Sequence, residues 1–143
     1  MRQTDIEKNG PRCLIDSCGW IEYYAEGELA GDFSKYIEKA NMLEYICPAL
    51  VIYEVYKKIK VAVSEEEALK AIAAIKSNTT LVPITDSIAL TAAELSISEK
   101  LPMADYSLIY ATAKIFGVIL ITSDEHFEGK KDVMYLKKKG RTK

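Results

Sequence analysis

Residues 118–122 (VILIT) constrain the fold of this chain more than any other segment, because a nearly continuous apolar run of this length reads as a strand buried on both faces. A strand covered on both sides belongs in a parallel sheet with helices packed against each face. The rest of the chain supplies matching parts. Residues 12–16 (RCLID), 43–47 (LEYIC) and 80–83 (TLVP) read as further short strands, and 133–136 as a final edge strand. Helical patterns fall between them, so the expected fold is α/β, a three-layer α/β/α domain around a mostly parallel sheet.

The helices carry their own start and stop signals. The spacing predicts one over 19–26, ended by Gly27, and a second over 32–40 with Asp32 as its cap. Pro48 suits the first turn of a helix running to about residue 60. Ser64 and Glu67 have the spacing of a capping box, with Ala68, Ile72 and Ile75 following at helical intervals. Thr85 or Asp86 caps the next helix, where Ile88, Ala92 and Leu95 share a face. A helix over 103–116 carries Leu108, Ala111 and Ile115 on one face and stops at Gly117.

With 143 residues, of which 49% are apolar and 28% charged, the chain suffices for one domain with a real core. The expected division is a loose leader over 1–10, a domain over 11–136 and a basic tail over 137–143. No apolar run approaches the roughly 18 residues that cross a bilayer, and the first ten residues lack a signal peptide's apolar stretch. A cytoplasmic protein without membrane contact is expected. Cys13, Cys18 and Cys47 are odd in number and form no CxxC pair, so they read as reduced, mostly buried thiols beside strands. His126 is the sole histidine, which disfavours zinc held by histidine pairs and a Ser-His-Asp triad. The net charge is −2, yet from Gly129 onward seven basic residues face only Asp132. Such a tail is either a solvated terminus or a hold on a phosphate backbone.

In parallel sheets ligands bind beyond the carboxyl ends of the strands, and two aspartates fall there. Asp16 ends the first strand and Asp124 follows VILIT. Asp105 lies in the first turn of its helix, within LPMADYSLIYATA, and Glu54 lies inside the apolar helix PALVIYEVYKKI. A carboxylate among apolar neighbours is costly unless paired, and a hard divalent cation such as Mg²⁺ or Mn²⁺ removes that cost. Each acid also has an ordinary reading. Asp16 caps a turn, Asp105 complements a helix dipole, Glu54 pairs with Lys57 or Lys58, and Asp124 forms a turn.

The phrases LIDSCGWIEYY, PALVIYEVYKKI, LPMADYSLIYATAKIFG and VILITSDEHF together resemble the PIN-domain nucleases, in particular the VapC-type toxins of toxin–antitoxin pairs. The resemblance runs from about residue 12 to 136. It implies Mg²⁺- or Mn²⁺-dependent cleavage of RNA, with Asp16, Glu54, Asp105 and Asp124 as the catalytic, metal-holding acids. Thr122 and Ser17 take supporting positions beside them. It also implies a small antitoxin partner and a homodimer, for which Trp20, Ile21, Tyr23 and Tyr24 are either contacts or ordinary core. Gly19-Trp20 departs from the family's usual small-plus-aliphatic pair. A housekeeping nuclease of ribosomal or transfer RNA and a non-catalytic RNA-binding domain remain alternatives. A phosphoacceptor receiver would need paired acids after the first strand, and a haloacid-dehalogenase-type phosphatase would need Asp-x-Asp. This chain reads Asp16-Ser17-Cys18.

Overall fold

The strand around Leu120 is central, as its apolar run requires. In the computed structural model, which describes residues 10–139, β1 (Cys13–Ile15) pairs with β4 (Ile119–Thr122) in register Ile15 to Ile121. Residues 1–9 of the expected leader and 140–143 of the expected tail lie outside the described residues. Adding β2 (Tyr45–Pro48), β3 (Thr80–Val82) and β5 (Val133–Tyr135) gives a five-stranded sheet of order β3-β2-β1-β4-β5. Every pairing is parallel.

Helices α1 (Ser17–Tyr24) and α2 (Ala30–Ile37) join β1 to β2, and α3 (Ala49–Ala62) and α4 (Glu65–Asn78) join β2 to β3. Helices α5 (Asp86–Ser98) and α6 (Ala104–Phe116) then carry the chain back past β1 to β4. Because parallel crossovers are right-handed, the outward and returning connections cover opposite faces. The packing agrees, with α1 on α2 and α3, α3 on α4, and α5 on α6. The result is the three-layer α/β/α sandwich that the strand pattern predicts. Leu14, Ile15, Leu120 and Ile121 form its centre at no more than 1% exposure. Among the described residues no helix is long and apolar enough to cross a membrane.

Several boundaries differ from the sequence reading for identifiable reasons. Helix α1 begins at Ser17 rather than residue 19, because Asp16 is its N-cap and accepts the Ser17 N–H at 2.8 Å. Helix α2 begins at Ala30, with Asp32 inside its first turn. Its N-cap position is Leu29, with no side-chain cap, and Glu22 Oε1 from α1 accepts the Leu29 N–H at 2.7 Å just ahead of the helix. Only half of the capping box forms. Ser64 Oγ accepts the Glu67 N–H at 3.1 Å, while the Glu67 carboxylate turns to Lys70 at 3.3 Å.

Helix α6 is buried at every position from Ile109 to Ala113, so no single face marks its interior, and Ile115 is exposed. Gly117 ends it in the left-handed conformation, φ 65°. Trp20 is core, whereas Ile21, Tyr23 and Tyr24 are partly buried against it. The unusual Gly19 has a steric cause. A β-carbon there would meet Ile15 Cγ2 and Phe33 Cδ1 at 2.7 Å, so α1 reaches β1 and α2 this closely only with glycine. All three cysteines are free, with Cys47 buried, Cys13 and Cys18 partly buried, and Cys18 on α1 rather than beside a strand.

Candidate functional site

The strand order reverses between β1 and β4, which opens a crevice beyond their carboxyl ends. Asp16 leaves β1 on that rim and is 5% exposed. Its Oδ1 accepts the Ser17 N–H, and its Oδ2 accepts the Thr122 hydroxyl across the strand pair, both at 2.8 Å. Thr122 Oγ1 in turn accepts the Asp124 N–H at 3.0 Å. One buried hydroxyl thus ties the two rim aspartates together. The hydroxyl proton is committed to Asp16, so in the 3.5 Å contact with Cys18 it is the thiol that donates. The Ser123 N–H donates to the same sulfur at 3.4 Å. Burial, then the charge of Asp16, pushes the Cys18 thiol up to about 12, which keeps it a donor.

Helix α6 brings Asp105 to the rim from its first turn, where Oδ1 accepts the Tyr106 N–H at 3.0 Å. The short 3₁₀ turn Glu125–Phe127 is capped by Asp124, whose Oδ1 accepts the His126 N–H at 2.9 Å. The ordinary capping readings of Asp16 and Asp124 are therefore correct, and they also aim helix N-termini at the acids. The partial positive charge of those termini offsets some of the negative charge gathered there. Glu54 comes from the middle of α3. It does not pair with Lys57, which turns to the Tyr53 hydroxyl at 3.5 Å, and its Oε1 is buried with no hydrogen-bond partner among the described residues.

Burial and neighbouring charge act together on Asp16 and Glu54. Burial raises Asp16 to about 6, its bonds to Thr122 and Ser17 oppose that shift, and the charges of Asp124 and Asp105 add to it. Burial also raises Glu54, to about 8, with Asp105 next in effect, the Ser17 hydroxyl opposing, and Asp16 adding further. Tyr106 is held above its ordinary value by burial and then by Asp124 and Asp105.

Among the described residues no group of three His, Cys, Asp or Glu side chains stands at metal-ligand spacing. The charges of Asp124 and Asp105 reach Asp16, and those of Asp16 and Asp105 reach Glu54, without the acids closing into a cage. Their chemistry fits a hard divalent cation: all donors are carboxylate oxygens, one is buried without a partner, and two resist ionisation chiefly through burial.

Beside Asp124 lies a cleft of about 750 Å³, lined also by Cys18, Tyr106, His126, Lys137 and Lys138. Of the four acids only Asp124 lines it. His126 stacks on Tyr106 with ring centroids 4.5 Å apart, and its Nδ1 meets Asp124 Oδ1 at 2.7 Å. A carboxylate only accepts, so Nδ1 carries the proton. Sequence reasoning missed Cys18, Tyr106 and His126 as members of this region. Each lies within two residues of one of the acids, which was the signal available.

Comparison with known proteins agrees with this fold. The PIN-domain family profile matches residues 13–132. A toxin–antitoxin complex from Klebsiella pneumoniae is similar in structure, with TM-score 0.69 and 21% identity over 85% of this chain and 95% of that one. The sarcin–ricin-loop-cleaving toxin VapC20 of Mycobacterium tuberculosis superposes with TM-score 0.63 and 14% identity, covering 74% and 84% of the two chains. The DNA-bound VapBC complex of Salmonella typhimurium gives TM-score 0.65 and 14% identity over 89% and 98%. No curated protein sequence matches the chain. With a parallel sheet in this order and the profile spanning nearly all of the described domain, the chain belongs to the PIN-domain family.

Proposed function

We propose that this chain is a divalent-metal-dependent ribonuclease of the VapC toxin type, held inactive by a small antitoxin protein. The observation that supports the reading most is the buried, unpartnered oxygen on Glu54, a residue raised by burial and by the nearby Asp105 and Asp16, with Asp124 and Asp105 acting likewise on Asp16. Support for the toxin role comes from structural neighbours described as toxin–antitoxin assemblies and, in one case, as a toxin that cleaves the sarcin–ricin loop.

In this reading the four carboxylates hold Mg²⁺ or Mn²⁺ on the rim. Such an ion, when bound, would supply Lewis-acid chemistry and charge neutralisation for an RNA phosphate. The protein's own part is orientation. Thr122 fixes one oxygen of Asp16 and the backbone of Asp124, and the Ser17 N–H fixes the other Asp16 oxygen, so both aspartates stand ready without reorganising. Above pH 6 Asp16 is mainly ionised and able to act as a ligand.

Incubation with structured RNAs in Mg²⁺, Mn²⁺ or chelator tests the reading, alongside Asp16→Asn and Asp105→Asn. Cleavage is expected only with metal and only in the parent protein. Metal-dependent cleavage that survives both substitutions overturns the site assignment. Growth arrest on expression, relieved by a co-expressed small partner, separates the toxin from a housekeeping nuclease of the same chemistry. The reading also carries self-association, and light scattering that reports a strict monomer at high concentration argues against that part.

A further inference from the structure

Resting on the nuclease reading, we propose that the cleft beside Asp124 is a subsite for one unpaired nucleotide. Its base stacks on the His126–Tyr106 ring pair, and its phosphate meets Lys137 and Lys138.

The rings are placed for this. Tyr106 covers one face of the imidazole at 4.5 Å and an interplanar angle of 28°, and Phe127 backs Tyr106 edge-on at 5.9 Å. Phe127 is wholly buried, so the stack is anchored in the core. The His126 Nδ1 bond to Asp124 fixes the ring's rotation. With one face and one nitrogen engaged, the 41% exposure that the side chain keeps lies on the opposite face and the Nε2 edge. A rigid, half-covered aromatic surface gains stacking energy at little ordering cost, and every base has a π-face to offer it.

Charge gives the subsite a direction. Asp124, Glu125 and Glu128 line the cleft on the side of the 3₁₀ turn, and Lys137 and Lys138 line it beyond β5. A phosphate is repelled from the first side and attracted to the second, while an uncharged base tolerates the acidic side. A cleft of about 750 Å³ is within the range that encloses small ligands. A base held in a duplex cannot present its face, so the substrate class is single-stranded RNA or a loop with an extruded base.

The test uses a single-stranded RNA octamer carrying 2-aminopurine, whose fluorescence falls on stacking, with binding followed in Ca²⁺ and in chelator. The parent should quench the probe, and the same probe in a perfect duplex should stay bright. His126→Ala should weaken binding about tenfold or more and abolish the quench. His126→Phe, which keeps a ring and loses the bond to Asp124, should retain both. The double variant Lys137→Ala/Lys138→Ala should weaken binding with a shallower salt dependence and quench normally at saturation. Quenching by folded His126→Ala equal to the parent's overturns the subsite, as does a parent that binds without quenching. A parent that binds and quenches but cleaves no RNA overturns the nuclease reading and leaves the subsite standing.

Discussion

Two groups of carboxylates in this molecule obey opposite rules. Glu65, Glu66 and Glu67 open α4, where the helix dipole favours acids. Glu65 meets Lys60 at 3.0 Å and Glu67 meets Lys70 at 3.3 Å, at largely exposed positions. In the second group, Asp16, Glu54, Asp105 and Asp124, burial raises Asp16 and Glu54 and neighbouring charge adds to it. Asp16 is held by a buried threonine hydroxyl, and Glu54 leaves an oxygen without a partner. Local rules account fully for the first group. In the second, burial holds Asp16 and Glu54 toward the neutral form, a penalty that a bound divalent cation would reverse, and on the proposed reading that difference separates a structural acid from a functional one.

Substitution should separate the groups most sharply. Asp16→Asn or Asp105→Asn is expected to lower RNA cleavage by about 10²–10³-fold, as loss of a preorganised charged group commonly does. Glu65→Gln and Glu67→Gln should change it less than about twofold, and equal losses from both groups would erase the distinction. Thr122→Val should come next. It removes the bond to Asp16 and the acceptor of the Asp124 N–H, and cleavage should fall by about 10–100-fold while the fold persists.

The pH dependence of stability sharpens the comparison. Asp16 and Glu54 are both raised, to about 6 and about 8, so the folded, metal-free protein binds more protons than the unfolded chain. Their contribution is complete below the unfolded carboxyl range and is lost as pH rises through the folded values. Melting of the metal-free protein should therefore occur at lower temperature at pH 9 than at pH 5. For Asp16 the whole loss is about 3 kcal/mol, of which about half falls between pH 5 and pH 9, and for the half-buried Glu54 it is less than its shift suggests because solvent screens it. Asp16→Asn should flatten the profile. A metal-free protein that gains stability over that span contradicts the account. The smallest effect belongs to the solvated group: Ser64→Ala, which loses the α4 cap, should cost about 1 kcal/mol in denaturant unfolding with no change in cleavage.

The same contrast explains what could be read before the fold was known. The apolar strand ending near Asp124, and Glu54 standing alone among Val51, Ile52 and Val55, are visible in the sequence because burial is written locally as hydrophobic runs. Cys18 reaching Thr122 across 104 positions has no local signature, and neither does Glu22 accepting the Leu29 N–H ahead of α2. The Tyr106–His126 stack needs α6 and the 3₁₀ turn to meet before it exists. Helix α6 misled for a related reason. Buried across its whole middle, it offers no apolar stripe, so the periodic choice of Ile115 fell on an exposed position.

The most direct test of the central claim is a crystal soaked in Mn²⁺ and measured for anomalous scattering. The account predicts a peak on the rim within ligand distance of Asp16 and at least one of Glu54, Asp105 and Asp124, absent in Asp16→Asn. A peak confined to Glu65–Glu67, or none at a concentration that supports cleavage, would contradict it.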